Sequence, residues 1–309
     1  MDILKLINAL PGAWAQGLCW GLMAIGVYIT FRVLNTSDLT VDGSIATGGA
    51  IAAVLIMNGV NVWLALVVAF LAGMLAGLAT GIFHTFMGIP AILSGILTQL
   101  GLYSINLRIM GGKANVAVNP NKYYLLVSLR NVRSLSLSNP ILVLILFTVA
   151  VILLLYWFFG TELGCSMRAT GANQQMSRAQ GINTTGNTLL GLMLANGLVS
   201  LAGALLAQYQ GFADVNMGRG AIVIGLAAVI IGEVLVRALF RRYLNFSITL
   251  AFTVLGGVLY YLVIVVVLWL RLNANDLKLF TAAVVALFLA VPHFRARKQP
   301  KKREVAGDA

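Results

Sequence analysis

The chain has 309 residues, of which 60% are apolar and only 10% charged, against roughly 25% charged in an ordinary soluble domain. That balance excludes a mainly water-facing exterior. The net charge of +12 does not make a nucleic-acid partner of it, because Arg295, Arg297, Lys298, Lys301, Lys302 and Arg303 gather in the tail beside the last apolar block, where basic residues meet anionic membrane lipid and fix topology.

In chain order, apolar blocks predict membrane spans near 12–33, 41–58, 61–86, 90–109, 140–159, 185–209, 219–236, 246–270 and 278–292, since a hydrocarbon core of about 30 Å asks each spanning helix for about 20 residues. The first block is long and lacks a basic leader and a small-residue cleavage site, so it reads as an uncleaved span. The second carries Asp42, Gly43, Gly48 and Gly49, and the last has only about 15 residues, short for a perpendicular span. These blocks are apolar throughout, unlike the alternating strands of a barrel. The expected fold is an all-α polytopic helix bundle of about nine spans, within a range of eight to ten. One transmembrane domain covers 1–294, with an external loop at 110–139 and a cytoplasmic loop at 160–184, and a basic cytoplasmic tail covers 295–309. The tail places the C-terminus inside and, over nine spans, the N-terminus outside. Arg237, Arg241 and Arg242 agree with that scheme; Lys113, Lys122, Arg130 and Arg133 do not.

No G-x-x-x-x-G-K-[ST] phosphate loop occurs, so ATP hydrolysis by that route belongs to another chain. His84 and His293 fall at span ends, Cys19 lies in the first span and Cys165 in the cytoplasmic loop. Neither a disulfide nor a metal site, and no catalytic residue, is expected from them. Glu233 stands one helical turn before Arg237, a spacing that predicts an ion pair.

Gly73, Gly77 and Gly81, and Ala221, Gly225, Ala228 and Gly232, form small-residue stripes that let helix backbones approach closely. A sharper signal is internal. Laying SDLTVDGSIATGGAIAAVLI over ADVNMGRGAIVIGLAAVIIG puts Asp38 on Asp214, Gly49 on Gly225 and Ala52 on Ala228. Each segment opens an apolar helix with an acidic, glycine-rich lead-in, one from inside and one from outside, which is the pattern of an inverted repeat whose helix starts flank a substrate path. A glycine-rich helix start without that role fits the same residues. Asp42, Ser44 and Gly220 at these starts are path candidates. So are Gln99, Tyr103 and Asn106 on one face of the fourth span, and Asn196 and Ser200, with Gly203, on the sixth; interhelical hydrogen bonding is the competing reading for all of them.

Between spans five and six, GTELGCSMRATGANQQMSRAQGINTTGN is the one long polar cytoplasmic segment. Ala169, Ala172, Met176 and Ala179 repeat with helical period opposite Thr170, Gln174, Ser177 and Arg178, and Gly181 suits a left-handed helix end. The segment predicts a short amphipathic helix, either a docking element for a soluble partner or a passive interfacial helix.

These residues carry a resemblance. MRATGANQQMSRAQGINT, the Ala/Gly-rich span after it, GFADVNMGRGAIVIGLAAVIIGE, and AIGVYITFRVLNTSDLTVDGSIATGGA near the N-terminus resemble the permease family of ABC importers for branched-chain amino acids and ribose-type sugars. The resemblance implies a type II-like permease of the cell membrane. It pairs with a second permease copy or paralogue, receives its solute from an extracellular substrate-binding protein and docks ABC ATPase subunits that carry the ATP and Mg, with no cofactor of its own. The docking motif falls on Arg168, Ala169, Gly171, Asn173, Gln180, Gly181 and Ile182, with Arg178 at the far end of the helix, and the N-terminal signature on Asp38, Leu39, Val41, Gly43 and Ser44. Asp42 departs from the sugar branch's form as an insertion. The implied solute is an amino acid or related compound, with a sugar or nucleoside as the alternative. A secondary transporter would also explain the repeat, though with ion-coupling carboxylates inside its spans and no need of the loop helix.

Overall fold

The computed structural model describes residues 3–132, 139–239 and 245–269, with 282, 283 and 286. Among them are ten α-helices: α1 (Ile3–Tyr28), α2 (Val41–Met57), α3 (Val62–Thr85), α4 (Ala91–Ile109), α5 (Pro140–Gly160), α6 (Glu162–Ala172), α7 (Gln174–Ala179), α8 (Thr184–Gln210), α9 (Ala221–Leu239) and α10 (Phe246–Trp269). α1 continues through a π-helical turn, Ile29–Val33. Six segments are long and apolar enough to cross a membrane: Ala9–Val33, Val62–Thr85, Pro140–Gly160, Thr184–Gln210, Ala221–Leu239 and Phe246–Val267. Two expected spans fall short of that standard for separate reasons. α2 has only 17 residues, and α4 is diluted by Ser94, Thr98, Gln99, Asn106 and Arg108. The ninth, 278–292, and the tail lie outside the described residues, apart from positions 282, 283 and 286.

Helix starts follow local chemistry. The side chains of Asn61, Asn139, Thr161, Asn173 and Asn183 each accept a first-turn amide, from Trp63, Ile141, Gly164, Met176 and Gly186 respectively, and Pro140 opens α5 where its missing N–H costs nothing. Gly211, at φ +78, ends α8 in the left-handed region.

α8, the longest helix, is the axis of the bundle. α3 runs antiparallel to it, with Gly73, Gly77 and Gly81 laid on Asn196, Leu192 and Leu189. α2 runs parallel to it, Ser44 on Asn196 and Gly48 on the backbone of Ser200 one turn further along both, and Gly203 lies on the backbone of Ile45. On its other side α1 crosses antiparallel, Gly26 touching Ala195 and Val199. α10 packs antiparallel on α1 through Gly17 and Gly21, which meet Val258 and Val254. α9 joins them through Gly225 on Met23 and Val27, and Gly232 on Phe252. Thus α3 lies on α8 as α10 lies on α1, and α2 lies on α8 as α9 lies on α1, with every direction reversed. Both predicted small-residue stripes are seams of this packing.

Three sequence expectations change. Glu233 pairs with Arg32 at the end of α1, at 2.5 Å, and not with Arg237, because α9 brings it alongside a cation already fixed by the neighbouring helix. The loop after α4 contributes strand β1 (Asn115–Ala117), antiparallel to β2 (Phe212–Asp214) in the register Asn115↔Asp214, Val116↔Ala213 and Ala117↔Phe212. Three-residue strands leave no readable alternation in the sequence. The single amphipathic helix is two helices, α6 and α7, separated at Asn173.

Close backbone contact makes the seams intolerant of side chains. Replacing Gly77 by leucine, whose Cβ alone would collide with the Leu192 carbonyl, is expected to abolish a monodisperse detergent-purified protein, whereas Gly101→Ala, with nothing within 4 Å, should leave the melting temperature unchanged or raised. Size-exclusion profiles after a heating series check both.

Candidate functional site

The lead-in to α2 turns at Asn35, which has φ 53, and reaches the middle of α8. There Asp38 is 2% exposed; its Oδ1 accepts the Thr40 amide at 2.8 Å and its Oδ2 accepts Asn196 Nδ2 at 2.6 Å. Asn196 also accepts the Ser44 hydroxyl at 2.6 Å and donates to the Leu192 carbonyl at 3.1 Å. The lead-in to α9 comes from the opposite end of the bundle. Asp214 Oδ1 accepts the Asn216 amide at 2.6 Å, the same two-residue turn that Asp38 makes, at the position the sequence alignment paired with it. Gly218 then packs on the Asp42 carbonyl, and the Asp42 carboxylate accepts the amides of Gly220 and Ile222, each at 2.9 Å. α2 and α9 therefore start beside one another, halfway along α8, and run apart. Asp42 caps the start of α9, satisfying donors that otherwise lack partners.

The predicted path residues separate by exposure. Asp42 is half-buried and Gly220 exposed, with Arg219 exposed beside it. Gly43 packs on Gln99 and Leu102, so α4 flanks the same helix start; Gln99 is half-buried and Tyr103 is 44% exposed. Ser44, Asn196 and Ser200 are fully buried and bonded within the chain, Ser200 to the Ala69 carbonyl at 2.6 Å. Here they join α2, α3 and α8. Asn106 is 1% exposed, and neither atom of its amide has a hydrogen-bond partner. Sequence reading missed a ladder of hydroxyls, Thr40 to Thr80 at 2.6 Å and Thr80 to Thr98 at 2.8 Å, which ties the α2 start to α3 and α4. Its only signal was Thr80 within the apolar α3 and Thr98 within α4.

α6 and α7 rest against the ends of α1 and α8. Gly171 lies on the Val33 carbonyl, Met167 is fully buried, and Asn187 Nδ2 donates to the Thr170 hydroxyl at 3.0 Å. The expected polar side splits, with Gln174 and Arg178 exposed and Thr170 and Ser177 buried. Thr170 and Ser177 turn inward, returning their hydroxyls to the carbonyls of Ser166 and Asn173 at 2.8 and 2.9 Å, while Ala172, Met176 and Ala179 are exposed. Asn173 caps α7, Gly181 ends it at φ +80, and the Ile182 amide bonds back to Ser177 at 3.0 Å. Gln180 is exposed and Ala169 half-buried. Arg178 Nε holds the Thr184 hydroxyl at 2.7 Å, whereas Arg168 lies at the α5 side of α6. The two arginines thus face different neighbours. A cleft of about 450 Å³ separates Thr170–Gln174 from the α2 lead-in and the α3–α4 turn.

Paired helix starts inside an apolar bundle, a polar seam beside them and two surface helices seated on the same framework define a multi-pass membrane transport subunit. The chain belongs to the family described as "Branched-chain amino acid transport system / permease component", which matches residues 12–292, and it is the membrane-spanning permease subunit of an ABC importer. It is 40% identical over 284 residues, 92% of this chain and 91% of the other, to a tyrosine transport system permease protein of Clostridioides difficile (strain R20291). It is 31% identical to the autoinducer 2 import system permease protein LsrC of Yersinia pseudotuberculosis serotype O:3 (strain YPIII), over 89% of this chain and 74% of that one. Its fold is similar to that of a solved structure, PsaBC from Streptococcus pneumoniae in complex with Fab, with a TM-score of 0.53 at 15% identity over 93% of this chain and 94% of that chain.

Removing the carboxylate cap should loosen the paired starts. Asp42→Ala is expected to destabilise the protein by about 1 kcal/mol, and Asp42→Asn by less, since an amide oxygen still accepts one N–H. Heating in detergent while following the reaction of the buried, free Cys19 thiol with a maleimide dye reads the difference.

Proposed function

We propose that this permease moves an amino acid or related small zwitterion inward along a path formed where α2 and α9 start. An external binding protein delivers the solute, and ATP-hydrolysing subunits, which hold the ATP and Mg, dock on α6–α7. The carrying observation is that α6–α7 sit directly on the backbone of α1 and on α8, the helices that frame both starts. The reversed, paired packing of α1–α2–α3 and α8–α9–α10 supports an inverted repeat around that point. Gly220 and Tyr103 are exposed and Asp42 and Gln99 half-buried about the α2 start, so a second permease, identical or paralogous, would complete the path across a two-fold axis. The unpartnered amide of Asn106 supplies further polar capacity near it. The relative named for tyrosine transport favours an amino-acid solute over a sugar or nucleoside.

ATP-driven closure of the partner subunits would push α6–α7 and change which side the path faces, provided ATP and the loaded binding protein prefer different states. Described basic residues divide between both ends of the bundle, so the basic tail decides the orientation, with α6–α7 cytoplasmic. A cysteine introduced at Gln299 should then react only with cytoplasmic label and one at Asn121 only with external label; the reverse pattern would place α6–α7 on the wrong side.

Purified with its ATPase and binding-protein partners, the chain is expected in a complex of two permeases and two ATPases. Met176→Glu and Arg178→Glu should lower uptake and solute-stimulated ATP hydrolysis together, by the roughly 2–5 kcal/mol that disruption of a desolvated polar interface costs, while Arg297→Glu leaves both unchanged. Normal transport by the two docking variants, or by a lone monomer, would refute the docking assignment.

A further inference from the structure

A second site lies at the outer side of the bundle, where α5 ends and α6 begins. α5 packs on α1, α10 and α6 and leaves Leu146, Val149, Leu153 and Leu154 exposed along its outer face. Its last turns carry Tyr156, 56% exposed, and Trp157, 71% exposed. Aromatic rings at the end of a lipid-facing helix mark the level of the headgroups. Just there a cleft of about 460 Å³ opens between Tyr156, Trp157, Phe159, Thr161, Arg168 and Phe246. Phe159 and Phe246, with ring centroids 5.0 Å apart, form part of its apolar wall.

Arg168 is the cationic member of that lining. Its guanidinium lies 3.2 Å from the sulfur of Cys165 on its own helix, and among the described residues no carboxylate pairs with it. A guanidinium fork at headgroup level, without an acidic partner and beside aromatic N–H and O–H donors, is suited to a phosphate oxygen pair. We propose that this cleft binds an anionic phospholipid, its phosphodiester on Arg168 and an acyl chain along the exposed face of α5. A soluble anion would gain nothing from the apolar half of the site, whereas a lipid meets both halves at once. Since Arg168 belongs to α6, an occupied cleft ties the docking helices to α5 and α10. The site stands on geometry independent of the solute and of the ATPase assignment.

The test uses the full chain in phosphatidylcholine vesicles, with brominated phosphatidylglycerol or brominated phosphatidylcholine as quencher, and Trp157→Phe to isolate the Trp157 signal. Trp157 should be quenched at a several-fold lower mole fraction of the anionic lipid. That preference should fall to about one in Arg168→Gln and be partly kept in Arg168→Lys, with Cys19 protection reporting that each variant is folded. Millimolar inorganic phosphate should not relieve the quenching. Equal quenching by the two lipids in the unaltered chain, an undiminished preference in folded Arg168→Gln, or relief by inorganic phosphate would each overturn the assignment, the last by giving the site to a free anion.

Discussion

A helix that starts inside an apolar bundle leaves its first amides without water, and the fold is arranged around supplying them. α2 and α9 both start this way, at mid-height of α8. The two carboxylate oxygens of Asp42 accept the amides of Gly220 and Ile222 at the head of α9, and Asp38 turns the chain into α2 by accepting the Thr40 amide. A buried carboxylate needs several hydrogen bonds to be tolerated. Asp38 finds its second in Asn196, which in turn engages Ser44. One asparagine thereby fixes the register of the lead-in, of α2 and of α8.

The glycine seams follow from the same requirement. Side-chain bonds of 2.6 Å across α2 and α8, and from Ser200 to the Ala69 carbonyl of α3, require the backbones to lie close. Only glycine or alanine at the crossing points permits that approach. Gly48 on Ser200, Gly73 on Asn196 and Gly77 on Leu192 are therefore the steric counterpart of the polar network. Apolar burial drives no association between helices in lipid, so packing and these bonds carry the specificity.

Eight of the nine expected spans coincide with helices because hydropathy and chain length are local properties. The pairing of Asp38 with Asp214 was also legible, and both make the same turn onto the residue two ahead. What stayed hidden depends on partners. The inward face of α6–α7 includes Thr170 and Ser177 beside Met167, because their hydroxyls return to their own backbone and so can be buried; residue type alone pointed these two outward. Glu233 had a neighbour at helical spacing, but tertiary packing offered Arg32 at closer range. Gln99, Tyr103 and Asn106 share a helical face in the sequence, yet in the packed bundle Tyr103 is exposed, Asn106 is buried and Gln99 lies against Gly43 of α2.

The distribution of constraints also bears on which parts can move. Where α3 meets α8 and α1 meets α10, backbones touch through glycines, so a relative slide of either pair would drive Cβ atoms into main chain. Packed interfaces of that kind shift as units. The lead-ins differ. Residues 34–40 form no regular helix between a π-helical turn and α2, and residues 215–220 form none before α9. Gly171 of α6 rests on Val33, the last residue of that π turn. A displacement of α6–α7 therefore reaches the first lead-in through one residue and, through Asp42, the head of α9. α6–α7 and the two lead-ins thus adjoin the close-packed pairs α3–α8 and α1–α10 without sharing their glycine seams. What holds both helix starts in place at that junction is a pair of carboxylates, Asp38 and Asp42.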